Sequence, residues 1–490
     1  MVFDFKINDK EKKYLQIYSQ LKNMIYSKML APDSKLPSTR ELSSLICVSR
    51  NSIMSAYELL EQEGLIYSIR NKGSYVKKLV ADENKECSWI IPWEIKTTAY
   101  AKIAEKTDII KNESVYKKGM ISFKTIAPDE NLFPIEEVKK SVLNILSNEG
   151  EKILNYGYAK GYDKLINFLL SYMTSKGVDT TNKSILITNG FTEGFDLTLS
   201  TILNKGDKIL CENPTHNTAL KIMKLQGLDI IGVDMTADGI DITQLSDKIK
   251  NNKVKAGFFV PSYHNPTGLV MSYDKRNLLY TIMKENNIPI IEDGFNEELQ
   301  LKSDHISPLA AISNNDNSVI YIGSLSKILF PGLRIGWILG DKKLINAMES
   351  IKRSKNIHTS SLDQAILYDY LKNGNFEKYL KKIRTVYNEK FNLAIKLAKE
   401  YIPHQYITGD GGLYIFIKLK NIDARKLLSK CIDKGVIFTP GDIFYTQSID
   451  TLHSTSSLVG WDTLRLGFSR LTLCDIEKGV KIIGHECLTL

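Results

Sequence analysis

Residues 319–336 read VIYIGSLSKILFPGLRIG. Val319-Ile-Tyr-Ile322 is a short apolar run of the kind that forms a buried strand. It leads into Ser324-Leu-Ser326-Lys327, with Arg334 following in Gly332-Leu-Arg334-Ile-Gly336. A lysine just past a strand is as readily a surface charge as a reagent, so its company decides the reading. Asp293 ends the preceding strand, Pro289-Ile-Ile-Glu292. Asn265-Pro266-Thr267-Gly268 closes another, Ala256-Gly-Phe-Phe-Val260. A glycine turn, Thr188-Asn-Gly190-Phe191-Thr192-Glu, follows Ser184-Ile-Leu-Ile-Thr188 and opens a helix. Lys208–Cys211 and Ile230–Val233 are further apolar runs, and periodic helical segments separate most of them. From Gly119 onward this alternation predicts an α/β domain with a mostly parallel central sheet.

The chain has 490 residues, 43% hydrophobic and 25% charged. At about 150 residues per domain, that is room for roughly three domains, or for one small and one large. Disorder, a collagen-like chain and a small disulfide scaffold are excluded on composition. Lysine and arginine number 65 against 56 acidic residues, a net +9. The excess is uneven: residues 1–80 hold 13 basic and 8 acidic residues, and the other 410 hold 52 and 48. A local basic excess fits a polyanion partner. It also fits a solvated lysine-rich surface, and charge alone does not choose between them. The six cysteines form no C-x-x-C pair and no Cys/His cluster with zinc spacing, so no metal site is expected. They read as reduced thiols of a cytoplasmic protein. The first residues, MVFDFKINDKEKK, lack an apolar signal core. No run approaches the ~18 apolar residues of a membrane span.

The N-terminal region carries its own pattern. Leu15, Tyr18, Leu21, Ile25 and Met29 predict an amphipathic helix over 14–29, ended by Pro32. Ser38 with Glu41 forms a capping box for a second helix with a stripe of Leu42, Leu45 and Ile46. After a turn at Val48-Ser49, Ser49 caps a third helix that runs to about Glu63 and buries Ile53, Ala56, Tyr57 and Leu60. Gly64 is a natural stop. Leu65–Ile69 and Ser74–Val76 flank the turn Arg70-Asn71-Lys72-Gly73, a β-hairpin. Three helices and a hairpin define a winged helix-turn-helix. The first turn of the third helix offers Ser49, Arg50, Asn51 and Ser52 to phosphates or base edges. Arg40 is expected at the DNA backbone and Lys72, on the wing tip, at phosphate or the minor groove. The competing reading is a three-helix module for protein contacts. Residues 79–118 read as a linker with one helix near 93–106, and Ser454–Ser457 as a loop.

The motifs of the large domain are the parts needed to hold an aldehyde cofactor with a phosphate and a pyridine ring. A lysine amine condenses with the aldehyde. A carboxylate pairs with the ring nitrogen. A helix N-terminus, hydroxyls and an arginine hold the phosphate. Residues 119–490 resemble the type I fold of pyridoxal-phosphate aminotransferases. Residues 14–78 resemble the GntR-type winged helix, most clearly in Leu36-Pro-Ser-Thr-Arg40-Glu-Leu and Val48-Ser-Arg50-Asn. The two in this order resemble the MocR family of transcription regulators. The implied domains are 1–78 for DNA binding, 79–118 as linker, and 119–490 as the effector and dimerisation domain.

That resemblance implies that Lys327 forms the internal aldimine and Asp293 keeps the pyridine nitrogen protonated. Asn265 would bond the ring oxygen. Gly190, Phe191 and Thr192, with Ser324, Ser326 and Arg334, would hold the phosphate. His216, in Glu212-Asn-Pro-Thr-His216, stands where a tyrosine is usual near the ring face; a surface-loop histidine is the alternative. Arg465, in Leu464-Arg465-Leu-Gly467, would grip a ligand carboxylate. Tyr156, in Asn155-Tyr-Gly157, would reach the phosphate of a partner subunit, which requires a homodimer. Three positions depart from the pattern. Phe295 replaces a tyrosine whose phenol would serve the ring oxygen, Ala127 a common glycine, and Ile166 a common arginine. The resemblance therefore points to a DNA-binding regulator that senses an amine, an amino acid or the cofactor itself. A competent aminotransferase with an accessory DNA-binding domain is the other reading. In a third, the large domain is a cofactor-free dimerisation scaffold.

Overall fold

Capping chemistry sets the helix ends of the N-terminal region. Ser38 and Glu41 exchange hydrogen bonds across the start of helix Thr39–Ile46, with Glu41 N to Ser38 Oγ at 3.2 Å and Ser38 N to Glu41 Oε2 at 2.8 Å. Ser49 accepts from Ser52 N and starts helix Arg50–Gln62, which buries Ile53, Ala56, Tyr57 and Leu60 as the spacing predicts. The turn between these two helices is made by Cys47, in the left-handed region at φ 53°, one residue before the predicted Val48-Ser49. Leu45 is 59% exposed and so leaves the predicted stripe, while Leu42 is buried. The first helix spans Lys13–Tyr26 and stops well before Pro32, because Lys28 turns left-handed at φ 59°. Met29 lies past its end and, like Leu15, is exposed. Gln16 is buried there instead, and its amide donates to the carbonyls of Asn8 and Glu11. After Gly64, at φ 72°, strands β1 (Ile66–Ile69) and β2 (Gly73–Val76) pair antiparallel.

The computed structural model describes residues 5, 7–8, 11–70, 72–78, 91–108, 119–294, 296–300, 306–447 and 459–490. They form two compact units, Met1–Lys96 and Thr97–Leu490. Within the segment read as a linker, the described residues hold two helices, Trp93–Lys96 and Ala99–Lys106, rather than one. Thr98 interrupts them by capping the second through Ala101 N. Phe295, Asn71 and the tract Ser454–Ser457 lie outside the described residues.

The second unit begins with short strand β3 (Ile121–Ser122). Its eight-stranded sheet uses β4 (Lys183–Thr188), β5 (Lys208–Asn213), β6 (Asp229–Thr236), β7 (Gly239–Ile240), β8 (Val254–Phe259), β9 (Ile290–Asp293), β10 (Val319–Ser324) and β11 (Gly336–Asp341), in the order β4-β11-β10-β9-β8-β5-β6-β7. The run β10-β9-β8-β5-β6 is parallel, while β11 and β7 run against their neighbours. Strands β4 and β9 are buried throughout, as strands covered on both faces must be. A second sheet joins β12 (His404–Thr408), β13 (Tyr414–Leu419), β15 (Thr439–Pro440) and β16 (Thr463–Gly467), and β14 (Val436–Ile437) pairs with β3. Its apolar core lies between helices Asn375–Tyr401 and Leu473–Cys487. Among the described residues no helix is long and apolar enough to cross a membrane, and no cluster could hold a metal ion.

Candidate cofactor site

The parallel strands bring the sequence motifs to one edge. Gly190 follows β4, His216 follows β5, Asn265 follows β8, Asp293 ends β9, and Lys327 follows β10. Asp293 stands opposite Ile322 in the β9–β10 register, so Ser324 and Lys327 project just beyond it. The carboxyl ends of parallel strands are where open α/β sheets bind ligands.

Gly190 is the N-cap of helix Phe191–Ile202, with φ 79° and ψ −175°. Those angles are all but closed to residues with a side chain. A Cβ there would lie 2.6 Å from Arg334 Nη2. The guanidinium thus folds over a helix start that has no side-chain cap, and donates to Asn189 O at 2.9 Å. Arg334 is itself left-handed, at φ 55°. Ser324 Oγ lies 3.0 Å from Ser326 Oγ. Helix N–H groups, two hydroxyls and an arginine converge here, donors of the kind that could hold a phosphate dianion. Thr192 is exposed on the first turn of that helix.

Lys327 Nζ donates to Ile126 O at 2.9 Å. Burial, with Arg465 and Arg334 nearby, lowers its pKa to about 8. A useful fraction of neutral amine is therefore present near neutral pH. Asp293 is buried, and its pKa is raised well above the usual carboxylate range by desolvation and by Glu297, Glu212 and Glu292. Its Oδ2 lies 4.0 Å from His216 Nδ1. His216 is pushed down to about 3 by burial and the cations Lys327 and Arg465, so it supplies no countercharge. A buried carboxylate so placed fits a pyridinium N–H. The His216 ring centroid sits 5.4 Å from that of Phe191, and its side chain is only 15% exposed, so it packs beside Asp293 rather than standing out in solvent.

Arg465, on β16, is buried, donates through Nη1 to Asn265 Oδ1 at 2.7 Å, and lies between the Phe444 and Tyr414 rings. Its Nε has no partner, and no carboxylate pairs with it among the described residues. A buried cation lacking a counter-ion fits an anionic ligand. Tyr156 stands apart: it is 81% exposed, with its ring edge-on to His358. Ala127 O accepts from Ser469 Oγ, and Ile166 is buried in the main core.

In the N-terminal unit Arg40, Ser49, Arg50, Asn51 and Lys72 are exposed, and Ser52 is half-buried because it closes the cap. Arg50 Nε also reaches Thr39 Oγ1 at 3.3 Å, which ties the third helix to the second.

Sequence reasoning missed buried polar groups around the acidic run that holds Asp293. His264 bonds Thr267 Oγ1 through Nδ1 and lies 4.0 Å from Glu212. Lys176 pairs with Glu297 and Glu298. The dense acidic run Glu292–Glu298 was the available signal.

Fold and site together define a type I pyridoxal-phosphate aminotransferase fold preceded by a winged helix. Residues 125–477 match the aminotransferase class I and II family model, and the chain belongs to that family. Residues 13–76 match the model of bacterial regulatory proteins of the gntR family. The chain is 30% identical to an uncharacterized aminotransferase of Saccharolobus solfataricus, over 80% of this chain and 98% of that one. It is 26% identical to YdfD of Bacillus subtilis, named an uncharacterized HTH-type transcriptional regulator, over 96% and 95% of the two chains. Among solved structures it is similar to the α-aminoadipate aminotransferase LysN of Thermus thermophilus, complexed with N-(5'-phosphopyridoxyl)-L-leucine. That match has a TM-score of 0.73, 27% identity, and covers 81% and 99% of the chains. The chain is thus a gntR-type DNA-binding domain fused to an aminotransferase-like domain, the MocR-type arrangement, and its cofactor is pyridoxal phosphate.

Proposed function

We propose that this chain is a transcription regulator that acts as a homodimer in the cytoplasm and senses an amine, an amino acid or pyridoxal phosphate at its large domain. The observation that carries the reading is the coexistence of an intact reading helix and an intact cofactor cradle on one chain. A relative named a regulator also aligns along nearly all of its length. We assign residues 1–78 to DNA binding, 79–118 to the linker and 119–490 to sensing and dimerisation.

Bound cofactor supplies an electrophilic aldehyde carbon and an electron-withdrawing ring. The chain's own residues do the rest. Gly190, Phe191 and Thr192 offer main-chain N–H groups to the phosphate, and Ser324, Ser326 and Arg334 close around it. Asp293 holds a proton on the ring nitrogen. Asn265 donates to the ring oxygen while its Oδ1 is held by Arg465. His216 covers a ring face, and Arg465 binds a ligand carboxylate. Tyr156, exposed on its own subunit, reaches the partner's phosphate. Arg40, Ser49, Arg50, Asn51, Ser52 and Lys72 contact DNA.

A ligand shifts a conformational equilibrium only if it binds the two states unequally. The test is therefore affinity for a duplex selected from a random pool by the full chain, measured with and without cofactor and amino acids at physiological salt. Specific binding that Arg50→Ala weakens, while the yellow colour persists, supports the reading. Affinity equal to random DNA refutes it.

The second reading, a working aminotransferase, is favoured by Lys327, whose amine is poised near neutral pH. Multiple turnovers of amino donor with a 2-oxo acid at about 1 s⁻¹ or faster would establish it. A single half-reaction or none would favour the sensor.

A further inference from the structure

The run Glu292-Asp293-Gly294-Phe295-Asn296-Glu297-Glu298 contains four carboxylates, and all four are buried. Each has a different environment. Glu292 accepts the backbone N–H groups of Leu309 and Ala310, at 2.7 and 2.8 Å. Glu298 meets the Tyr172 hydroxyl and Lys176 Nζ. Glu297 Oε2 meets Lys176 Nζ at 2.8 Å and the Tyr321 hydroxyl at 3.2 Å, while its Oε1 has no partner among the described residues. Tyr321 carries this cluster toward the cofactor site. A Cβ on Gly294, the residue after Asp293, would lie 2.0 Å from the Tyr321 hydroxyl. Lys176 follows helix Asp163–Ser175, and its side chain is 10% exposed. Among the described residues it is the one amine paired with Glu297 or Glu298.

We propose that Lys176 is a positioning residue: by pairing with Glu297 and Glu298 it weakens their hold on the Asp293 proton, so that Asp293 can ionise against the cofactor's ring nitrogen. The inference rests on the reading that Asp293 meets that nitrogen. The charged and titratable groups facing Asp293 are Glu292, Glu297, Glu212, His216, Lys327 and Tyr414. Three of these are carboxylates, which favour a proton on Asp293. Lys327 opposes them, but burial and the neighbouring Arg465 and Arg334 push its own amine toward the neutral form. Arg276 faces Glu292 and Glu297 but spends its hydrogen bonds on the carbonyls of Met271, Pro261 and Ser307 and on Ser262 Oγ. Lys176 faces Glu297, Glu298, Tyr172 and Tyr321. Arg276 thus acts on Glu297 only from a distance, and Lys176 is the cation in direct contact with Glu297 and Glu298 among the described residues.

The test is the affinity of the full chain for pyridoxamine phosphate as a function of pH. This probe cannot condense with Lys327, and its own titration is common to all variants. Asp293 must lose its proton to pair with the ring, so affinity falls on the acid side with a limb set by Asp293. Lys176→Met should move that limb to higher pH by about one pH unit, because Glu297 is left uncompensated. Glu297→Gln should move it to lower pH, and Lys176→Arg should restore the wild-type position. A purely structural role would lower affinity in both variants without moving the limb in opposite directions. If Lys176→Met does not fold, Lys176→Gln, which keeps a hydrogen-bond donor but not the charge, takes its place, and its limb should likewise move to higher pH. No shift, or shifts of the same sign, overturns the proposal. Asp293→Asn separates the two layers: if the limb survives that change, the reading of Asp293 itself is wrong.

Discussion

Gly190→Ala is the sharpest test of the phosphate cradle. Gly190 holds φ 79° and ψ −175°, a region that costs a residue with a Cβ about 1–3 kcal/mol. The new methyl would also lie 2.6 Å from Arg334 Nη2 and 3.2 Å from its Cζ. The guanidinium must swing away and lose its bond to Asn189 O, an exposed contact worth about 1 kcal/mol or less. Together these span about 1–4 kcal/mol, with the middle of the range at about 2–3 kcal/mol. At 1.4 kcal/mol per factor of ten, cofactor affinity falls roughly 30- to 150-fold if the backbone is forced to keep its bound shape. If the backbone relaxes in the free protein, part of the cost appears as lost stability instead. The assay is a pyridoxal phosphate titration followed by absorbance, with a denaturant melt of the cofactor-free chain. Gly332→Ala is the control, since a Cβ there meets nothing within 4 Å and the residue is close to Arg334 in sequence. Affinity within threefold of wild type together with an unchanged melting midpoint would refute the reasoning.

Three further outcomes are expected. Ser49→Ala removes the cap on the third helix, so the chain loses about 1 kcal/mol of stability in its N-terminal unit, read by denaturant melts, while cofactor binding is unchanged. Arg465→Gln should abolish the absorbance response to amino acids but spare the response to amines that lack a carboxylate; equal loss of both would count against a carboxylate clamp. The pKa of Lys327 falls from its ordinary 10.5 to about 8, so its charged form is disfavoured in the folded chain. Between about pH 8 and 10.5 the unfolded chain binds more protons at this site, and stability contributed here rises with pH. Lys327→Met should flatten that rise in pH-dependent melts of cofactor-free protein, and it should also abolish the yellow colour.

The sequence was most legible where chemistry is local. The capping box at Ser38 and Glu41, the cap at Ser49 and the stop at Gly64 each involve neighbours within a few residues, and all three stand as read. The first helix was read too long because periodicity continued through Met29, whereas the left-handed turn at Lys28 ended it. Leu45 kept helical spacing yet faces solvent, since periodicity says which residues share a face but not how wide the covered face is. Strand β11 was not among the apolar runs read as strands, because its apolar stretch is only Trp337-Ile-Leu339, closed on both sides by Gly336 and Gly340.

By itself, the sequence determined the two modules, their order, and the chemical types present at the strand ends: an amine, a carboxylate, an amide, a glycine turn and two arginines. Each is a property of a residue and its near neighbours. Tertiary structure alone decided how they meet. Strand pairing carries Gly190, His216, Asn265, Asp293 and Lys327, spread over much of the second unit, to the same end of one sheet. The second sheet brings Arg465 onto Asn265. Burial then lowers the Lys327 pKa and raises that of Asp293, shifts that depend on the removal of water and on charges distant in sequence. The same holds for Lys176, an ordinary lysine in the sequence that becomes the counter-ion of Glu297 and Glu298 only when the helix before it packs in the fold.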